Sequence, residues 1–593
     1  MTSLHTPVTP PARARRGRTA GGRGRIAVLA AVVLTILVVL VALPLAGLVT
    51  ATLGPDADGA WTDVLASPLA GNLFWQPLGG SLLVGLGTGL LSTIIGGFLA
   101  WVVVLSDIPG RRIIGVLAAV PFALPSFAIA LAWETVFRND RIGGTPGLLA
   151  SWGVAVPDWL AWGPVPIVLT LVAHYFSLSF VVVAAALAGV GGDLLAAAEL
   201  TGASRTRVAL RITLPAVAPA LVSGFLLAFA EGVSNFAVPA LLGLPVRFQT
   251  LSTRLYGAIS TGDTERGYVL SILLVVIAAV VLWLGTRATA SGSFATVTGK
   301  ATRARTVRTG PWRWPLLAMA GAIVVATAIL PAIILAISTL LRRSGRFNGG
   351  LTWHFWTGES DPSVAQGMRG ILLDPVFGRA IGNTLLLGLA VAVGAIVLGV
   401  LAAYALRRMP RRGVPARAAG GAISLLSYVP FLIPGVAFGA AFIAQFGAPI
   451  GPLPALYGTF GILVLAGIAA SIPFAFQTSK SAFGQVSTEL EEAAAVAGAG
   501  GTRRLGRIVL PLASRGVVAG GVLVFVTMVR DLSLVVLLVT PATPLLSTMT
   551  FRYASEGFTQ HANAITLVIA VISVAATLLA RRLQRAPHTG GTP

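Results

Sequence analysis

The apolar positions of this chain run together in blocks and do not alternate with polar ones. A bilayer crossing needs about 20 mostly apolar residues. Twelve stretches reach that length, at roughly 26–50, 80–105, 113–136, 164–190, 216–243, 267–286, 315–341, 379–405, 417–446, 456–476, 515–540 and 561–580. Each predicts a membrane helix. Several contain Pro and Gly, which membrane helices tolerate because their surroundings re-satisfy the freed backbone groups. The first block follows "RARRGRTAGGRGR". It is too long for a signal-peptide core and no small-residue cleavage site follows, so it reads as an uncleaved first helix.

The blocks also repeat. "GGSLLVGLGTGLL" from Gly79 resembles "IGNTLLLGLAVAV" from Ile381, and "VPFALPSFAIA" from Val120 resembles "VPFLIPGVAFG" from Val429. "LSTRLY" from Leu251 resembles "LSTMTF" from Leu546. The expected architecture is an all-α polytopic membrane protein of about 12 helices in two tandem six-helix units, 26–286 and 315–580. A basic linker, 287–314, joins them, and tails 1–25 and 581–593 flank them. Six is even, so the units share one orientation about a pseudo-twofold axis along the membrane normal.

Charge refines this picture. Only 10% of the 593 residues are charged, yet the formal net charge is +22. The arginines lie between the apolar blocks, so the excess marks loops on one membrane side and no nucleic acid is expected as a partner. With the N-terminus inside, the basic tails, "SDIPGRR", the linker and "RRMPRRGVPAR" all fall in the cytoplasm. The segment 51–79, with Asp56, Asp58 and Asp63, falls outside. The long segment 342–379 is also outside despite five arginines. Cysteine is absent and the five histidines are scattered, which leaves no ligand spacing for a metal. No GxxxxGK[ST] phosphate loop occurs, since Gly299–Lys300 is followed by Ala301. The chain is expected to carry no cofactor and to hydrolyse no ATP on its own.

One polar passage interrupts each unit between its fourth and fifth blocks: "LLAAAELTGASRTRVALRITLP" from Leu194 and "LEEAAAVAGAGGTRRLGRIVLP" from Leu490. Both order Ala-Ala, Gly, Ile and Leu-Pro at one spacing: Ala197, Ala198, Gly202, Ile212, Leu214, Pro215, and Ala493, Ala494, Gly498, Ile508, Leu510, Pro511. Glu492 precedes the second set, and Ala196 stands in its place in the first. The pattern predicts a short helix, a turn at a glycine free to take positive φ, and a second, arginine-rich helix. A single copy would serve as well for an interfacial helix holding lipid headgroups.

With both copies in view, the passage resembles the EAA loop of ABC-importer permeases, whose pattern residues 492–511 match in full and residues 196–215 match except at Ala196. The likeness covers roughly 76–286 and 380–580 in the type I permease fold. It implies a non-catalytic membrane subunit whose loops dock into two copies of a separate ATPase subunit, which carries ATP and Mg. An extracytoplasmic solute-binding protein is the further implied partner. Arg207, Arg211, Arg503, Arg504 and Arg507 are candidates to pair with acids of the ATPase.

Polar residues inside apolar blocks are costly and mark pathways. Glu231 and Asn235 in the fifth block align with Thr527 and Asp531 in the eleventh at an offset of 296, and Arg530 adjoins them. Spacing of i,i+4 would set each pair on one helix face lining a pathway. The alternative is an ion pair between Glu231 and Arg530 that only joins the units. The passage "MVRDLSLVVLLVTPATPLLSTMTF" most resembles ferric-iron transport permeases, with thiamine, phosphonate and polyamine permeases as alternatives. A competing class is an ion-coupled secondary transporter.

Overall fold

The computed structural model describes residues 18–54, 57, 59–190, 204–290, 307, 309–410, 413–452 and 454–585. Among these, ten helices are long and apolar enough to cross a membrane, or 12 if each of two bent helix pairs is one span. In chain order the candidate crossings of the first unit are α1 (Gly24–Ala51), α2 (Gly71–Leu105), the bent pair α3 (Arg111–Ala123 with Ser126–Phe137), α4 (Pro164–Gly189), α5 (Ala209–Ser234) and α6 (Thr264–Gly285). Those of the second are α7 (Gly310–Ser338), α8 (Pro375–Arg408), α9 (Val414–Leu432 with Gly435–Phe446), α10 (Phe460–Gly484), α11 (Gly501–Val529) and α12 (Thr559–Arg582).

The helices are sided in the way a lipid solvent demands. On α2, Leu83, Leu86, Leu90 and Ile94 are exposed, at helical spacing on one face. Ser81, Gly85, Thr88, Gly89, Ser92 and Gly96 are buried on the other. Small residues let backbones approach closely, which is what holds membrane helices together. A Cβ on Gly96 would lie 2.7 Å from Phe176 O, and one on Gly399 would lie 2.6 Å from Ala475 C. The exposed stripe of α8 is Leu386, Leu389, Val393 and Val397. Each lies 303 residues after its counterpart on α2 (386 − 83 = 303). The same offset relates Ser81, whose Oγ accepts from Leu251 N at 2.8 Å, to Thr384, whose Oγ1 accepts from Leu546 N at 3.0 Å. Aligning Gly79 with Ile381 is therefore one residue short of the structural register.

Prolines shape the crossings in two ways. In α3 and α9 the halves meet at 93° and 115° where unbroken spans 113–136 and 417–446 were expected. The cause is local: Leu124 and Ile433 precede Pro125 and Pro434, and proline forces the preceding residue into extended backbone, here ψ 152 and 121. Elsewhere a proline stays inside a continuous helix. Pro44, Pro77, Pro215, Pro331 and Pro511 each sit two residues past a five-residue π-helical turn. The widened turn accommodates a ring that cannot donate and would clash with the carbonyl four residues back.

The units interlock. The outer half of α1 packs on the Gly435–Phe446 half of α9, where a Cβ on Gly47 would fall 2.2 Å from Gln445 Oε1. Reciprocally, the Leu330–Ser338 part of α7 packs on the Ser126–Phe137 half of α3. Between α7 and α8 a small antiparallel hairpin, Leu341–Arg343 with Arg346–Leu351, departs from the all-helical expectation. Its Phe347 stacks on Trp152 of the first unit with ring centroids 6.0 Å apart.

Candidate functional site

Two regions gather the polar residues singled out in the sequence. The first is a cavity of about 210 Å³ between the units, lined by Glu231, Asn235, Thr527, Arg530 and Asp531 together with His174, Tyr175, Phe122 and Phe431. All five candidates reach it, but not along two helix faces. The helix of α5 stops at Ser234, and Asn235 turns out of it with ψ 124. That of α11 stops at Val529, with Arg530 as its cap. The expected spans 216–243 and 515–540 are thus too long, and the i,i+4 reading fails at both. What relates Asn235 to Asp531 is a capping role. Asn235 Oδ1 accepts from Val238 N at 3.0 Å, and Asp531 Oδ1 accepts from Leu534 N at 2.8 Å. Such side chains close turns on their own backbone.

The remaining groups of the cavity are held from several elements. Asn235 Nδ2 donates to Tyr175 OH at 3.0 Å and Ser126 Oγ at 3.1 Å, which ties α5 to α4 and to the bend of α3. Thr527 Oγ1 turns back to Leu523 O at 2.9 Å. Arg530 does not pair with Glu231. It donates through Nη1 to Leu124 O at 3.1 Å, and its guanidinium lies 4.3 Å from the centre of the Phe122 ring, both in the first unit. The ion-pair alternative is therefore replaced by a cation–π contact across the units. His174 and Tyr175 were missed although His174 is a polar residue inside the fourth apolar block, the same signal that marked Glu231. No group of three or more His, Asp or Glu among the described residues is arranged to hold a metal.

The second region is the loop between α10 and α11. Ser487 caps a helix, Thr488–Val496, by accepting from Glu489 N at 3.2 Å. Gly498 takes φ 85, the left-handed conformation that glycine alone adopts freely. The chain then enters α11 at Gly501. Glu492, Ala493, Gly498, Arg503, Arg507 and Pro511 are exposed, Ala494, Ile508 and Leu510 are half-buried, and Arg504 is buried. Leu490 is exposed, and Val496 is 90% exposed. The adjacent Glu491, which the sequence pattern did not single out, is 2% exposed. It receives Arg407 Nε at 2.7 Å, with Arg408 Nη1 at 3.7 Å from its other oxygen. In the first unit Ala197, Ala198 and Gly202, with Ala196, lie outside the described residues. Arg207, Arg211, Leu214 and Pro215 are exposed there, and Ile212 is half-buried.

A family model described as "Binding-protein-dependent transport system inner membrane component" matches residues 92–289 and 395–587, once in each unit. The chain is 24% identical over 468 residues to "Putative ferric transport system permease protein FbpB 1" of Haemophilus influenzae, covering 77% of this chain and 69% of that one. It is 23% identical over 503 residues to "Ferric transport system permease protein FbpB" of Actinobacillus pleuropneumoniae, covering 83% and 68%. Over 190 residues it is 31% identical to "Probable sulfate transport system permease protein cysT" of Chlorokybus atmophyticus, covering 30% and 64%.

Proposed function

The chain belongs to the family of binding-protein-dependent transport system inner membrane components, and we propose that the solute its two fused units carry is ferric iron. It is an ABC-importer permease, a multi-span membrane subunit with two permease domains in one chain. The ion-coupled carrier considered from the sequence has no support beside that membership. We place one ATPase subunit, with its ATP and Mg, at each polar loop, and a solute-binding protein at the opposite end. The N- and C-termini then lie in the cytoplasm. The exposed Leu490, Glu492 and Val496 give the second loop a mixed apolar and acidic face suited to docking.

One observation carries the iron reading. The two-unit ferric permeases match over 77% and 83% of this chain. The cavity adds oxygen donors of the hard type that Fe³⁺ favours, in Glu231, Asp531 and Tyr175. They are not clustered for tight binding, which suits a cargo that must leave. A second reading, a sulfate-like oxyanion, is favoured by Arg530, whose fork matches such groups. Uptake of radiolabelled iron and sulfate by cells with and without the chain separates the two. Iron uptake that depends on the chain, with sulfate uptake unchanged, supports the first reading; the reverse pattern overturns it.

A further inference from the structure

The inner ends of α2 and α8 hold different things. The last turn of α8 carries Arg407 and Arg408, and that of α2 carries no basic residue, ending Val103-Val104-Leu105. Around Arg407 the entry to the second loop converges. Its Nε bonds Glu491 at 2.7 Å, its Nη2 donates to Val486 O at 2.8 Å, and its Nη1 donates to Phe483 O. One turn back, Tyr404 OH donates to Gly501 O at 3.0 Å. One guanidinium therefore grips the end of α10 and the short helix, and a neighbouring phenol grips the start of α11. Arginine is suited to this because its planar fork offers several fixed donors at once.

The first unit lacks both members of this pair in its sequence, with Val104 at the register of Arg407. At the register of the loops, Leu195 stands where the second has Glu491 (491 − 296 = 195). Just past the end of α2, two residues of the inter-unit linker are bonded to the chain. Val307 N donates to Leu105 O at 2.6 Å, and Thr309 donates to Asp107 Oδ1 through N at 2.9 Å and through Oγ1 at 2.6 Å.

We propose that Arg407 and Glu491 are a positioning pair that fixes the second coupling helix rigidly to α8, so that the second loop carries most of the ATPase stroke into the pore. The neighbouring glutamates divide the work: Glu491 faces inward to hold the helix, and Glu492 faces outward to the partner. The pair touches neither solute nor nucleotide; it acts by keeping Thr488–Val496 from tilting when it is pushed. The inference rests on the reading that the loop docks an ATPase.

The test uses the full complex, permease with its ATPase and binding protein, in proteoliposomes, and reads solute transported per ATP hydrolysed. Arg407→Ala leaves Glu491 buried without its main partner and is expected to lower both assembly and that ratio. The double variant Arg407→Met/Glu491→Met removes both charges, and such replacements restore stability. It is expected to assemble normally and still to transport about tenfold less per ATP, the scale on which coupling mutations act. Its half-saturating concentration of loaded binding protein is expected to stay within about twofold of wild type, because the solute side is untouched. Arg407→Lys, which keeps the charge but not the fork, should fall between. Recovery of the ratio together with assembly in the double variant would make the pair merely structural and overturn the proposal. A wild-type complex whose ATP hydrolysis does not respond to loaded binding protein would overturn the ATPase reading and this inference with it.

Discussion

The feet of α2 and α8 are the most instructive pair of places in the molecule. Upstream the two helices are near copies: their exposed stripes coincide at an offset of 303, and their buried glycines approach α4 and α10 alike. In the last turn they diverge. α8 ends in a guanidinium that seats a loop, and α2 ends in aliphatic residues whose neighbours bind the linker. Duplication preserved the packing that a bilayer imposes on every helix and released the ends, where water and partners set the constraint. A fused chain needs its two units joined, and the join occupies the end of α2.

Four outcomes would sharpen or break this comparison. The largest belongs to Arg407→Ala. Removing one partner of a buried pair costs about 3–5 kcal/mol, and protease cleavage near Val496 should become much faster. Val104→Ala, at the matching register of α2, should leave cleavage of either loop unchanged. Next come the glycines, where the units should respond alike. Gly96→Ala and Gly399→Ala each force a Cβ within 2.7 Å of backbone, and overpacking of this kind costs about 1–3 kcal/mol. Melting temperatures of the purified variants should drop together, and a drop in only one would break the pseudo-symmetry. Smaller again are Ser81→Ala and Thr384→Val, which remove equivalent bonds to Leu251 N and Leu546 N. Each leaves a buried amide without its acceptor, at a cost of about 1–3 kcal/mol with the lower end expected beside polar backbone.

The smallest effect is one of pH. The Asp107 carboxyl is held below its ordinary value by the bond from the Thr309 hydroxyl, then by that from the Thr309 backbone N–H. A depressed acid stabilises the docked linker above its free value, about 3.9, and that stabilisation is lost as pH falls through the lowered one. Protection of Thr309 N from hydrogen exchange should therefore be flat from neutral pH to about 5, after correction for intrinsic rates, and fall only in stronger acid. Loss of protection near neutral pH would contradict the Asp107 contact.

Much of the fold was legible because a membrane helix announces itself by length. Ten apolar blocks became helices long enough to cross a membrane, and the other two became bent helix pairs. The bends in α3 and α9 are visible in sequence as Leu124-Pro125 and Ile433-Pro434, yet proline inside an apolar block has two outcomes. At Pro215 and Pro511 the helix continues over a π turn, and at Pro125 and Pro434 it breaks. The difference is in the preceding backbone: Leu124 and Ile433 are extended before their prolines, whereas Leu214 and Leu510 stay helical after a π turn. The ends of α5 and α11 were misjudged for a related reason. The apolar residues 236–242 and 532–538 extend the block, but Asn235 and Asp531 cap a turn there and stop the helix. Glu231, Asn235, Thr527, Arg530 and Asp531 were found because polarity inside an apolar block is conspicuous. Arg407 was not, because in sequence it is one basic loop residue among many, and its partner lies 84 residues away. Glu491 was overshadowed by Glu492, the residue that completes the motif.

The most direct test of the account is whether the helix Thr488–Val496 is where an ATPase subunit sits. The chain contains no cysteine, so single cysteines at exposed positions can be probed without background. Glu492→Cys and, at the hairpin on the opposite end of the molecule, Phe347→Cys would be treated in membrane vesicles with a maleimide reagent that does not cross the bilayer. The account predicts that the thiol of the Glu492→Cys variant reacts only from the cytoplasmic side and is shielded when the ATPase is co-expressed. The thiol of the Phe347→Cys variant should react only from the other side and be indifferent to the ATPase. Labelling of both variants from the same side, or labelling of the Glu492→Cys variant unaffected by a bound and active ATPase, would contradict it.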